Sequence, residues 1–118
     1  MILGVIANSH PNTDSNNDAT SFGWASHGNG VNGQVYRGGI DQGSIDGWSA
    51  WNSGDTAIFK LDLDNEHCLK MYHFRQKKIF RLTLPRNGLE WRLHLNMYTP
   101  QDCIRISIPT VDEAELLE

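Results

Sequence analysis

Basic residues are scarce in the first half of this 118-residue chain: positions 1–67 hold only Arg37 and Lys60, against eight acids. Residues 68–105 reverse that balance, with eight Lys and Arg against Glu90 and Asp102, and the stretch from Ile106 to Glu118 has four acids and no Lys or Arg. A split of this kind, at a formal net charge of −4, argues against a general nucleic-acid binder. It implies complementary charged surfaces, either within the domain or towards a partner. Cysteine is also sparse. Cys68 and Cys103 have no CxxC partner, so neither a zinc site nor a disulfide framework is indicated, and both read as free, partly buried thiols. Long apolar runs are missing: Met1 to Ala7 lacks a basic flank and stops at Asn8, too short for a signal sequence or a membrane span. An Asn-x-Ser/Thr sequon is absent as well, which fits a cytoplasmic location, with the nucleus as the alternative.

Regularly spaced short apolar strands are what the chain does have. At this length it is one domain with room for a hydrophobic core. Ala57, Phe59, Leu61 and Leu63 alternate with Ile58, Lys60 and Asp62, the period of two that a sheet with one buried face requires. Asp64-Asn65-Glu66-His67 supplies a turn, and Cys68 restarts the apolar run. Further strands are expected at Ile2–Ala7, Phe22–Ser26, Thr56–Leu63, Cys68–Phe74, Ile79–Leu84, Trp91–Tyr98 and Cys103–Ile108, and the alternation within Trp91–Tyr98 and Cys103–Ile108 implies that each of these buries one face only. Nine of the eleven glycines fall between Gly23 and Gly54, among Trp24, Tyr36, Trp48 and Trp51, which reads as tight loops anchored by aromatics and not as a linker. Asn8 to Ser21 reads as an exposed polar loop. Only Val111 to Leu117, after Pro109, can form a turn or two of helix. The pattern predicts an all-β sandwich or barrel.

Four blocks in this order resemble the SPRY domain, the core of the B30.2 module: Leu3-Gly4-Val5-Ile6-Ala7 with Phe22-Gly23-Trp24; Trp51-Asn52-Ser53-Gly54-Asp55; Leu61-Asp62-Leu63-Asp64 through Leu69-Lys70-Met71-Tyr72; and Trp91 to Tyr98 leading into Cys103-Ile104-Arg105-Ile106. The resemblance spans residues 3–108. It implies a bent antiparallel β-sandwich of the concanavalin-like jelly-roll kind over residues 1–108, followed by an acidic tail over 109–118. It also implies an adaptor-like, non-enzymatic module that recognises a peptide or protein through loops at one end. By position, the binding residues it implies are Thr20, Tyr98, Thr99, Pro100 and Gln101, with Tyr98 as the aromatic anchor. Family domains carry strands ahead of the position of Leu3, so this chain is N-terminally short by comparison. Self-association, or completion by the missing N-terminal strands, is the corresponding expectation. The Asn-Gly expected after the Tyr72 strand is replaced by His73-Phe74-Arg75-Gln76-Lys77-Lys78, which leaves the hairpin register open.

No residue pattern points to catalysis. Asp62, Asp64, Glu66, His67 and His73 form the densest set of metal-ligand types, but no calcium-loop spacing links them, and they read as solvated hairpin groups, with no metal or other cofactor expected. A Gly-x-Ser-x-Gly elbow is absent. Gly28, Gly30 and Gly33 are not followed by a helix or by Lys-Ser/Thr, so they make no phosphate cradle. Arg75 to Arg81 has the basic and aromatic mixture of a single-strand binder, but reads as a charged hairpin that keeps an edge soluble. Trp48 and Trp51 leave two readings open: packing under their loop, or an exposed pair forming a sugar platform. A truncated domain with no ligand of its own is the third reading of the chain.

Overall fold

In the computed structural model, which describes residues 1–26, 33–97 and 102–118, two antiparallel sheets face each other, as expected of an all-β sandwich. The strands are β1 (Ile2–Ile6), β2 (Phe22–Ser26), β3 (Gly33–Arg37), β4 (Ile40–Asp41), β5 (Ala57–Asp62), β6 (Cys68–His73), β7 (Lys78–Thr83) and β8 (Arg92–Asn96), and one short helix, α1 (Val111–Glu115), follows. The larger sheet has the order β4-β3-β2-β1-β8 and the smaller one the order β5-β6-β7.

Strand alternation places Leu3, Val5, Phe22, Trp24 and Val35 on the inner face of the large sheet, where they meet Leu69, Met71, Phe80 and Leu82 of the small one. Trp24 is the largest of these buried side chains, with its ring 6.0 Å from Phe59 and 6.3 Å from Phe80. Full burial of each large apolar group contributes about 1.5–3 kcal/mol, so this layer supplies most of the drive to fold.

β1 and β2 bury both faces. Ile2, Ala25 and Tyr36 form a second apolar cluster on the outer face, and the polar loop 8–21 crosses it. His94 of β8 is the peg of that loop: Ser15 Oγ lies 2.8 Å from its Nε2, and Ser21 Oγ lies 3.3 Å from its Nδ1. Asn16 Nδ2 donates to the Tyr36 hydroxyl (3.2 Å), and Asn96 Nδ2 donates to Ser15 Oγ (2.9 Å). Gly4 and Gly23 are paired beneath, and a Cβ on either would collide with the neighbouring strand's backbone.

Four differences from the sequence expectation have physical causes. β3 and β4 lie inside the stretch read as loops; Gly38 and Gly39, at φ 61° and 77°, make the two-residue Gly-Gly turn that joins them, a backbone twist that suits a hairpin and that side chains resist. The β6–β7 hairpin keeps full register without Asn-Gly, through a four-residue turn in which Lys77 takes φ 50° and its N–H bonds Phe74 O at 3.2 Å. Cys103–Ile108 is not a strand: Ile106 and Ile108 are 63% and 93% exposed, and only Ile104 packs on the core. Alternation of Ile is a necessary signal for a strand, but an edge must also be available to pair with. Finally, the acidic tail is docked, since Leu117 is 3% exposed after α1, whose Thr110–Glu113 capping box starts the helix.

Candidate functional site

Loops from both sheets meet at the end of the sandwich that holds Met1. The Met1 carbonyl accepts from Ser26 N (3.0 Å), Ser26 Oγ accepts from Trp51 N (3.3 Å), and the Gly33 N–H bonds Ser49 O. The β6–β7 turn joins the same group through Gln76, whose Oε1 accepts from Ser49 Oγ (3.0 Å) and whose Nε2 donates to Gly47 O (3.0 Å). Trp48 and Trp51 hold the 44–56 loop down from inside, donating their indole N–H groups to Ala25 O (2.9 Å) and Trp24 O (2.7 Å). They are 2% and 7% exposed and pack edge to face at 4.7 Å. A sugar platform needs exposed rings, so of the two readings of this pair the packed one holds.

Under this end sits a three-residue polar network. His73 is fully buried, and its Nδ1 accepts from Gln76 N at 3.2 Å, which leaves the proton on Nε2 to be donated to Asp55 Oδ2 at 3.0 Å. Asp55, with a side chain 7% exposed, also accepts from Arg75 Nε (2.8 Å), Arg75 Nη2 (3.2 Å) and Asn52 N (2.8 Å). Arg75 Nη2 reaches Ala50 O as well (2.8 Å). Burial alone would raise the Asp55 pKa, but the bonds from Arg75, Asn52 and His73 outweigh it and hold the carboxyl below the usual range. Burial lowers the His73 pKa in spite of Asp55, so the ring stays neutral. A His–Asp pair suggests a general base, yet here both ring nitrogens are occupied and no substrate can reach them. The network is a brace.

The surface above the brace is an open groove of about 500 Å³, lined by Ser53, Gly54, Asp55, Thr56, Phe74, Arg75 and Glu113. Phe74 is half-buried, with its ring 5.1 Å from Tyr72, and Arg75 is exposed on its upper side. Trp51 to Asp55 was legible as a motif, but Glu113 arrives from the C-terminal segment, and nothing in its own sequence context linked it to this loop.

The residues singled out from sequence fall in different places. Thr20 lies at the opposite end, beside Ala7: its Oγ1 accepts from Ala7 N (3.1 Å) and Asn8 N (3.0 Å) and donates to Asp18 Oδ1 (2.6 Å). Those bonds close the 8–21 loop and use the hydroxyl fully. Tyr98, Thr99, Pro100 and Gln101 lie outside the described residues; β8 delivers the chain at Met97 to the Met1 end, because Asn96 pairs with Ile2. Asp62, Asp64, Glu66, His67 and His73 do not converge. Asp62 caps its own turn through Asn65 N (3.0 Å), Glu66 pairs with Lys70 (2.9 Å) and Arg81, and His73 belongs to the brace. Among the described residues no group of three His, Cys, Asp or Glu could hold a metal ion.

Three of the four basic residues of the run 75–81 bind groups of the same chain, although all four are exposed. Arg75 is bound to Asp55, Arg81 to Glu66, and Lys78 Nζ donates to Asp46 O (2.6 Å) while lying 5.1 Å from the Phe80 ring centre. The acidic first half and basic middle of the chain therefore meet inside one domain. Among the described residues no helix is long and apolar enough to cross a membrane. No family model, curated protein or solved structure matches this chain.

Proposed function

We propose that this chain is a non-enzymatic interaction module of SPRY-like type, which captures a peptide or protein surface with the loops at its Met1 end. The observation that carries the reading is the braced groove: an open concavity lined mostly by polar residues, with one aromatic residue, Phe74, where the loop at Asp55 and the β6–β7 turn are fixed to one another by Asp55, Arg75 and His73. Rigid loops on a sandwich bind without spending interaction energy on ordering themselves. Phe74 supplies the kind of aromatic anchor that dominates peptide interfaces. Tyr98, Thr99, Pro100 and Gln101, next in sequence after Met97, are kept in the proposed contact set on the SPRY resemblance alone, with Tyr98 as a second anchor. The free thiols Cys68 and Cys103 support a cytoplasmic setting, with the nucleus as alternative.

Selection of random peptides on the immobilised chain tests this. Selected peptides should lose at least tenfold in affinity with Phe74→Ala or Tyr98→Ala, while both variants stay cooperatively folded, Phe74→Ala with a midpoint lower by a few degrees for its lost contact with Tyr72. Failure to select any peptide, or affinity indifferent to both variants, overturns the proposal.

A further inference from the structure

The charges around the groove do not balance, and the imbalance identifies a ligand chemistry. Asp55 and Arg75 cancel: the carboxylate is held in two-oxygen contact by one guanidinium, at 2.8 and 3.2 Å. Glu113 is the remaining charged group of the lining. Its Oε1 accepts from Thr110 N at 2.9 Å to complete the helix cap, and its Oε2 makes no hydrogen bond among the described residues. That cap bond, with the Thr110 hydroxyl, holds the Glu113 carboxyl below the usual range, so it is charged at neutral pH. The same groove is lined by Phe74, Ser53 and Thr56. A carboxylate, an aromatic ring and hydroxyls about one concavity form a receptor for a cation on a slender apolar stem.

From this arrangement, and resting on the peptide-binding reading above, we infer that the groove receives a Lys or Arg side chain of the partner, with its aliphatic stem on Phe74 and its charged head at Glu113. An acidic or phosphorylated side chain is disfavoured, because the guanidinium that would receive it is already neutralised by Asp55, and Glu113 would repel it. The chain's overall charge of −4 acts in the same sense, steering basic segments towards it.

The peptide selection tests this with outcomes that separate the two proposals. Sequences recovered on the parent chain should share a Lys or Arg at one position, and replacing it with Gln should weaken binding about threefold or more. Glu113→Gln should produce a similar loss that shrinks in 0.5 M salt. Because the Gln amide oxygen can make the same cap bond to Thr110 N, this variant should stay folded and unfold cooperatively, with a thermal midpoint slightly below the parent's where the charged acceptor is lost. Peptides that bind with Phe74 dependence but without a shared basic residue, or with affinity unchanged by Glu113→Gln, overturn the basic-ligand inference and leave the interaction module standing. Recovery of a shared Asp, Glu or phosphoresidue overturns it as well. If no peptide is recovered at all, both proposals fall.

Discussion

Replacing Asp55 with Asn should destabilise the fold by about 2 kcal/mol at pH 7, a figure that follows from the bonds the carboxylate makes. Asp55 Oδ2 receives three donors, His73 Nε2, Arg75 Nη2 and Asn52 N, and Oδ1 receives Arg75 Nε. An amide presents one oxygen, and its best orientation keeps that oxygen towards the three donors and turns its NH2 on Arg75 Nε. One charge-assisted bond is lost and the others weaken to neutral-acceptor strength. Bonds to charged groups are worth about 1.5–3 kcal/mol each against roughly 1 for neutral ones. Breaking a wholly buried pair would cost about 3–5 kcal/mol, but the Arg75 side chain is 40% exposed and can turn to water, which discounts its share. The assay is urea denaturation. With a slope of about 1–3 kcal/mol per M, the midpoint should fall by about 1 M at unchanged slope. The sign of the pH dependence is also fixed. The folded pKa of Asp55 lies below its ordinary value of 3.8, so its stabilisation is complete above that value and is lost as pH falls through the folded pKa. The gap between parent and variant should therefore narrow in acid. A midpoint shift under 0.2 M at pH 7, or a gap just as wide at pH 2.5, would refute the brace.

Three other outcomes rest on the same kind of contact. Thr20→Val keeps the shape but removes the oxygen that receives Ala7 N and Asn8 N, and should cost about 1–2 kcal/mol in urea titration with no effect on peptide capture; unchanged stability would show the loop is closed by other means. His94 has a folded pKa below 6.5, chiefly through burial, so the unfolded state takes up its proton first and stability declines as pH drops below 6.5. His94→Gln should flatten the stability profile between pH 7 and pH 5, and an identical slope in parent and variant counts against a buried neutral ring. Ellman's reagent should find one fast thiol in the native protein, exposed Cys103, and a second only on unfolding, since burial encloses Cys68 and raises its pKa; two fast thiols would refute the placement of β6.

Where local pattern and tertiary demand agree, the strands were legible. β2 has the expected bounds, and β5 to β7 differ from theirs by at most one residue at each end; only β7 alternates as a one-faced strand should, since β6 is buried on both faces and in β5 Ile58 is buried while Leu61 is 38% exposed. β8 shows the limit of that logic. Leu93 and Met97 occupy the apolar phase yet are 55% and 44% exposed, while His94 in the polar phase is 5% exposed. Five strands face three, so the inner face of the edge strand overhangs, and loop 8–21 covers the outer face instead. Sequence periodicity reports which residues share a face, and it does not report which face will be covered. The same gap hid the burial of β1 on both sides, where Gly4 and Gly23 are the trace of the close approach.

The site was less legible than the fold for a related reason: its parts come from distant segments brought together by polar contacts that carry no periodicity. Asp55 and His73 are 18 positions apart, Arg75 adds two more, and Glu113 arrives from the docked tail. Each is ordinary in its own neighbourhood. The exception is the charge split between the acidic first half and the basic middle, which is plain in the residue order alone. It resolves into Asp55–Arg75, Glu66–Lys70 and Glu66–Arg81, pairs that join the β5 approach and its turn to the basic β6 and β7. Glu66–Arg81 is about half exposed on both sides and is worth little in stability, whereas Lys70 is buried and Glu66 is the partner of its ammonium. These pairs offset only part of the basic excess of the middle segment, but at the groove Asp55 and Arg75 cancel locally, so Glu113, which makes no ion pair among the described residues, decides the sign of charge the groove presents to a partner.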